Sequence, residues 1–205
     1  MIIIITGASH TGKTLLAQHM LEKYKFPYFS MDHLKMGLIR SGQTKLTPED
    51  DDQLTTYLWP IVREMIKTAI ENMQNLIVEG CYIPFDWRKD FNEKYLRDIS
   101  FICLAMTDEY IDRNFDEIRE HASDIESRLD DSDCTADWIK EENRRVIQGF
   151  EASGEFVDII DSDYQSVVEK VLLLIPDKIK KLIAEKKYTI DDSIMIKLLH
   201  NYISV

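Results

Sequence analysis

Apolar residues in this chain fall into two kinds of stretch: short unbroken runs, and longer segments in which they recur every three or four positions. Residues 2–5 are four consecutive isoleucines, the pattern of a strand buried on both faces, as in a parallel sheet covered by helices. Residues 14–24 carry Leu15, Leu16, Met20 and Leu21 at the spacing of one helical face. Pro27 ends that pattern, residues 28–30 predict a short second strand, and residues 33–39 predict a helix that stops before Gly42. The stretch Thr47, Pro48, Glu49, Asp50 reads as a helix start, with Thr47 as the cap, proline in the first turn and acids at the positive end of the dipole. That helix should run to about residue 72, with Asp50, Asp51 and Asp52 compensating its dipole on a solvated face. Further buried strands are predicted at 75–79, 99–106 and 156–161.

Strands alternating with helices predict an α/β protein: three layers, a five-stranded, mainly parallel sheet and helices on both faces. Residues 108–145 are polar, helical in pattern and rich in acids, with a turn-rich centre at 123–135, and are expected to form an inserted helical lid. Two helices should follow the fifth strand, at 166–175 and 178–187, separated at Pro176. A C-terminal extension at about 188–205 carries Ile194, Leu198, Leu199 and Tyr202 as a last amphipathic helix. The whole of 1–205 reads as one domain.

Charge narrows the partners. With 25 basic against 37 acidic residues the net charge is −12, so the surface repels polyanions, and neither DNA nor long RNA is an expected ligand. A small molecule bound in a locally basic cleft is still compatible with that balance. No apolar run approaches membrane-spanning length and no signal-peptide pattern opens the chain, so a cytoplasmic protein, monomer or homodimer, is expected. Cys81, Cys103 and Cys134 are odd in number and form no CxxC pair, and are expected to be small buried or incidental thiols.

The chemistry concentrates between the first strand and the first helix. Residues 7–14, GASHTGKT, match the phosphate-loop pattern GxxxxGK[ST] in full. Gly7 and Gly12 let the backbone wrap an anion, and the N–H groups of Gly7, Ala8, Ser9, His10, Thr11, Gly12, Lys13, Thr14 and Leu15 can converge on phosphates at a helix N-terminus. Lys13 can bridge the β- and γ-phosphates and Thr14 can ligate Mg2+; the His10 side chain is expected to be an exposed bystander. A nucleoside triphosphate with Mg2+ is the pair this implies, and the family resemblance given below makes that nucleotide ATP. No DxxG or NKxD occurs, which excludes a GTPase switch, and no aspartate-glutamate pair ends a strand as in mechanical ATPases. Transfer to a small molecule is favoured; a nucleotide-binding regulator with little turnover is the alternative.

Two carboxylates follow at strand ends. Asp32 lies two residues beyond the second strand, where it can accept a hydroxyl proton, hold Mg2+ through water, or cap the following helix. Glu79 closes an apolar strand, a place where burial penalises a carboxylate without a task.

The phosphate loop, the segment FSMDHLKMGLIRSG after the second strand, the VEG at the end of the third and a polar lid before the fifth together resemble the adenylate-kinase-like P-loop kinases. More closely, the chain resembles short bacterial proteins of the adenylate kinase and 2-phosphoglycerate kinase-like kind, over about residues 1–175. The resemblance implies the P-loop NTPase fold and ATP-dependent phosphotransfer, with an acceptor-binding region at about 31–72. It implies that Asp32 or Glu79 acts as base or orients magnesium-bound water, and that Arg40 holds an acidic group of the acceptor. It also implies that lid arginines, among Arg113, Arg119, Arg128, Arg144 and Arg145, stabilise the transferring phosphoryl group, with Lys13 and Arg128 catalytic and Arg113 and Arg144 on the nucleotide. Where adenylate kinases carry Gly-Phe-Pro-Arg, this chain has Cys81, Tyr82, Ile83 and Pro84 after Gly80, so AMP is a poor fit; Arg88 is the expected replacement arginine. The ends of Asp161 and Ser162 are expected near the adenine.

Overall fold

The run of isoleucines forms the centre of the sheet. In the computed structural model, which describes residues 1–120 and 134–173, strand β1 (Ile2–Gly7) is buried along its whole length. It pairs with β3 (Leu76–Glu79) on one side and β4 (Ile99–Met106) on the other. β2 (Tyr28–Ser30) extends the sheet beyond β3, and β5 (Asp158–Ile160) extends it beyond β4. The order is β2-β3-β1-β4-β5 and every pairing is parallel.

Alternation along β1 divides the core into two layers. Ile2 and Ile4 face α3 (Asp51–Glu71) and α6 (Ala136–Ala152), packing among Leu58, Val62, Ile66, Val146 and Phe150. Ile3 and Ile5 face α1 (Lys13–Tyr24) and a helix that spans 164–173 of the described residues, here α7, through Leu16, Met20, Val168 and Val171. All four isoleucines are wholly buried, a gross gain on the order of 6–12 kcal/mol before entropy is subtracted. Helices therefore cover both faces, the three-layer α/β arrangement of the P-loop NTPases. Strands are added first to one side of β1 and then to the other, and ligands of open α/β sheets sit at the carboxyl edge beside such a reversal.

Several boundaries differ from the sequence reading. α2 (Met31–Arg40) begins directly after β2, earlier than expected. α3 starts at Asp51, after Asp50 rather than Thr47. The Thr47 N–H and hydroxyl both donate to the Asp50 carboxylate, at 2.8 and 3.0 Å, so the threonine closes a turn instead of capping the helix. α3 also continues through Pro60, whose missing N–H leaves the Thr56 carbonyl without its helical donor. β5 is three residues long, and Phe156, read as its start, is 70% exposed. A short 3-10 turn (Trp87–Asp90) and α4 (Glu93–Leu96) lead from β3 to β4.

After β4, α5 (Asp108–Glu120) and α6 pack against one another beyond the sheet. α6 is also fixed to the sheet: Asn143, fully buried, accepts from the Met106 N–H at 2.7 Å and donates to the Ile139 carbonyl at 2.7 Å. Residues 136–145, expected within the lid, thus belong to a helix built into the flank of the sheet. The expected helices at 178–187 and 188–205 lie outside the described residues. Among the described residues no helix is long and apolar enough to cross a membrane.

Asn143→Leu removes the acceptor of a buried backbone N–H, and the expected loss of stability is about 1–3 kcal/mol. Urea unfolding measures it; an unchanged midpoint would contradict the anchoring role.

Candidate active site

The phosphate loop is braced from two directions. Gly7 has φ 141°, and a Cβ there would land on the Leu104 carbonyl oxygen of β4. Only glycine permits that approach, which lets the Ala8 N–H donate to Leu104 O at 3.2 Å. Gly12 has φ 73°, and its carbonyl accepts from the Tyr164 hydroxyl of α7 at 2.9 Å. A Cβ on Gly12 would meet that hydroxyl at 2.6 Å. Within the loop, the Thr11 hydroxyl and the Lys13 ammonium both donate to Ala8 O, at 2.8 and 2.6 Å.

The helix that follows differs from its neighbours at its N-terminus. α2, α3, α5 and α6 each carry an acidic residue in the first turn; α1 has none, has no side-chain cap, and begins with Lys13. Its first N–H groups and the positive end of its dipole are thereby left to an external anion. Ser9 and Leu15 lie on this same turn, and the donor set fits a chain of phosphates.

Beside it stands Glu79. The register pairs Glu79 with Ile5, and the Gly80 N–H donates to Ile5 O at 3.1 Å. The carboxylate is 1% exposed and accepts from the Thr14 hydroxyl, Oγ to Oε2 at 3.4 Å. Two hard oxygens, one anionic, at the mouth of a phosphate site suit Mg2+, which keeps most of its water and takes few protein ligands. Among the described residues no cluster of three or more His, Cys, Asp and Glu forms a protein-only metal site, so any Mg2+ here depends on phosphates as well.

At the start of α2, four polar side chains form a string. Lys35 pairs with Asp32 one turn earlier on α2, Nζ to Oδ1 at 2.5 Å. Its ammonium also donates to the Tyr82 hydroxyl at 2.8 Å and lies 5.0 Å from the centre of that ring. The Tyr82 hydroxyl in turn donates to Asp51 Oδ1 of α3 at 3.2 Å. Burial, reinforced by the charges of Cys81, Asp32 and Asp51, pushes the phenol far above its ordinary range, so it stays neutral and can donate. Lys35 and Tyr82 were missed in the sequence reading. The available signal was Asp32 and Lys35 at i, i+3 on one helix.

Cys81 is exposed, and Cys103 and Cys134 are buried. Desolvation nevertheless pushes the Cys81 thiol up to about 11, with Asp32 and Asp51 acting the same way and Lys13 and Lys35 against it. The register brings the ends of β1, β2 and β3 to one edge of the sheet, with Glu79 level with Ile5 and with Ser30, so the phosphate loop, Asp32 and Cys81 all follow strand ends on that edge.

The arginines fall elsewhere. Arg40 is exposed at the last turn of α2, eight residues or about 12 Å along the axis from Asp32, and the fold does not bring the two together. Arg88, the expected replacement arginine, forms a two-pronged ion pair with buried Glu155 (Nη2 to Oε2 3.1 Å) and stacks 4.9 Å over Trp87. Arg113 donates to the Glu109 carbonyl at 3.1 Å and to the Asp161 carbonyl at 2.6 Å, tying α5 to the end of β5. Arg144 pairs with Asp108, Arg145 with Glu142 and Asp52 (3.1 and 3.5 Å), and Arg119 lies over Phe115. Arg128 lies outside the described residues. His10 is half-buried rather than exposed, with a φ of 65°, the Trp138 ring edge-on at 6.3 Å and Cys134 Sγ 3.7 Å from Nε2.

No protein-family model and no curated protein matches this sequence. Solved structures do resemble the fold. A gluconokinase from Sinorhizobium meliloti 1021 is 14% identical with a TM-score of 0.51, over 89% of this chain and 95% of that one. A protein of Chloroflexus aurantiacus is 17% identical with a TM-score of 0.50, over 84% and 96%. The shikimate kinase of Aquifex aeolicus is 15% identical with a TM-score of 0.47, over 86% and 97%.

Replacing Arg88 by glutamine strands the Glu155 carboxylate, while the half-exposed arginine limits the loss to about 1–2 kcal/mol. Urea unfolding should show that loss, and titration with a fluorescent ATP analogue should show unchanged nucleotide affinity. Weakened nucleotide binding with unchanged stability would return Arg88 to the site.

Proposed function

We propose that this chain is an ATP- and Mg2+-dependent kinase of a small hydroxyl compound. The observation that carries the reading is the strand register: Glu79 is level with Ile5 of β1 and with Ser30 of β2, so the phosphate loop that follows β1 and Asp32, two residues beyond β2, leave the same edge of the sheet on either side of Glu79. A donor site alone would serve hydrolysis or signalling equally well; a carboxylate across the cleft from it supplies what transfer needs. The fold shared with a gluconokinase is in keeping with this.

In the reaction, the acceptor oxygen forms a bond to the γ-phosphorus while the bond from that phosphorus to the β-phosphate oxygen breaks, and ADP leaves with the bonding pair. The acceptor proton passes to Asp32, which the Lys35 pair holds in position until then. Lys13 swings from Ala8 O to the β- and γ-phosphates, and the first-turn N–H groups of α1 hold the β-phosphate as negative charge grows there. Thr14 and Glu79 would hold Mg2+, which would supply charge neutralisation at the phosphates. The acceptor region spans about 31–72. Closure falls to the segment 108–145, less the part of α6 that Asn143 pins to the sheet. Arg113, already bonded to the carbonyl of Asp161, borders the nucleotide side, and Arg144 is freed for phosphate when its pair with Asp108 opens.

Coupled ADP-release assays over a panel of hydroxyl compounds test this. Lys13→Ala should abolish acceptor-dependent turnover with the unfolding midpoint retained. Asp32→Asn should lower kcat by about 100-fold or more with ATP affinity kept. Turnover unchanged in either variant would contradict the assignment.

A further inference from the structure

The acceptor half of the cleft has a charge balance of its own, and it differs from the one an acidic substrate needs. The described side chains linked on this side are Asp32, Lys35, Tyr82 and Asp51, in that order. Two carboxylates accompany one ammonium, and the tyrosine is neutral. The Lys35 side chain is only 12% exposed, and its ammonium is already shared between the Asp32 carboxylate and the Tyr82 oxygen. Among the described residues, Arg88 is engaged by Glu155 and Arg145 by Glu142 and Asp52, and Arg40 lies at the other end of α2. Lys13 belongs to the phosphate loop, and bound ATP adds negative charge on that side.

Resting on the kinase reading above, we propose that the acceptor is a hydroxyl compound without carboxylate or phosphate groups, uncharged or bearing an amine, and that Lys35 and Asp51, joined through Tyr82, set this specificity. An anionic acceptor has two ways to enter, and both are unfavourable. It can displace Asp32 from Lys35, which removes the partner that orients the base. It can leave the pair intact and face Asp32 and Asp51 directly, at short range and in a partly desolvated cleft where like charges repel strongly. A neutral polyol meets neither obstacle. It finds acceptors at Asp32 and Asp51 and a donor at Lys35, and an amine on the acceptor gains a direct partner in Asp51. The phosphorylated oxygen is the one that lies against Asp32; its proton goes to that carboxylate and its new bond to the γ-phosphorus, as above.

Cys81 supplies a probe of this charge that does not depend on turnover, since it is exposed and directly precedes Tyr82, the centre of the string, while Cys103 and Cys134 are buried. The full-length protein would be treated separately with two methanethiosulfonate reagents, one carrying a trimethylammonium-ethyl group and the other a sulfonatoethyl group, and modification at Cys81 followed by peptide mass mapping. The two rates share one thiolate fraction, so their ratio, divided by the ratio for a free small thiol, reports the field. The expected result is a preference for the cationic reagent of about tenfold, lowered by Asp51→Asn and raised by Lys35→Met. Equal rates, or a preference for the anionic reagent, would overturn the proposal. ADP release over neutral polyols, amino alcohols, sugar acids and phosphorylated acids forms the second arm. Turnover with the first two groups supports the proposal, and turnover confined to the acids overturns it while leaving the kinase reading in place. If no compound in any group is turned over, the kinase reading fails and the reagent ratio alone decides whether the cleft disfavours anions.

Discussion

The register between β1 and β3 is the constraint on which the rest of the site depends. It pairs Ile5 with Glu79, so both strands end at the same edge, one turning into the phosphate loop and the other presenting a buried carboxylate beside it. Side chains alternate along a strand, so a slip of one residue would send Glu79 to the opposite face and Val78 toward Thr14. The register is held by what it buries: Ile2 and Ile4 go into one layer, Ile3 and Ile5 into the other, and a slip would exchange the two sets throughout. Stability and chemistry are therefore settled by the same pairing. Gly7 adds the second fixed point, because its close approach to Leu104 ties the loop to β4 on the other side of β1.

A protein with 37 acidic residues still has to leave room for a nucleotide, and it does so by where the acids are put. They occupy the first turns of α2, α3, α5 and α6 and complement those dipoles, while the first turn of α1 is kept free of them. The arginines are distributed to match. Arg88, Arg144 and Arg145 are paired with acids, and Arg113 with a backbone carbonyl. Among the described residues, the first turn of α1 combines Lys13 with helix N–H groups that no acidic side chain caps.

What could be read from the residues follows from how local each signal is. The strands β1, β3 and β4 were legible because an unbroken apolar run has few other solutions, and the phosphate loop because its glycines are demanded by two specific close approaches, to Leu104 and to Tyr164. The cap at Thr47 was misread because Asp50, three residues on, attracts its donors. Arg88 looked available because its partner Glu155 lies 67 residues away, and no local pattern records such a pairing. Lys35 and Tyr82 escaped for a similar reason: the string from Asp32 to Asp51 crosses three separate segments, and only its first link, Asp32 to Lys35, lies within one helix.

The claim that β1 and β3 together build one metal-holding pair is tested most directly by a double-mutant cycle on Thr14→Ala and Glu79→Gln, read as the gain in ATP affinity on adding Mg2+ in calorimetric titrations. If the Thr14 hydroxyl and the Glu79 carboxylate act on the same ion, each single variant loses most of that gain and the double variant loses little more, a coupling of about 0.5–3 kcal/mol. Losses that simply add, or a magnesium effect that survives both substitutions, would contradict the account.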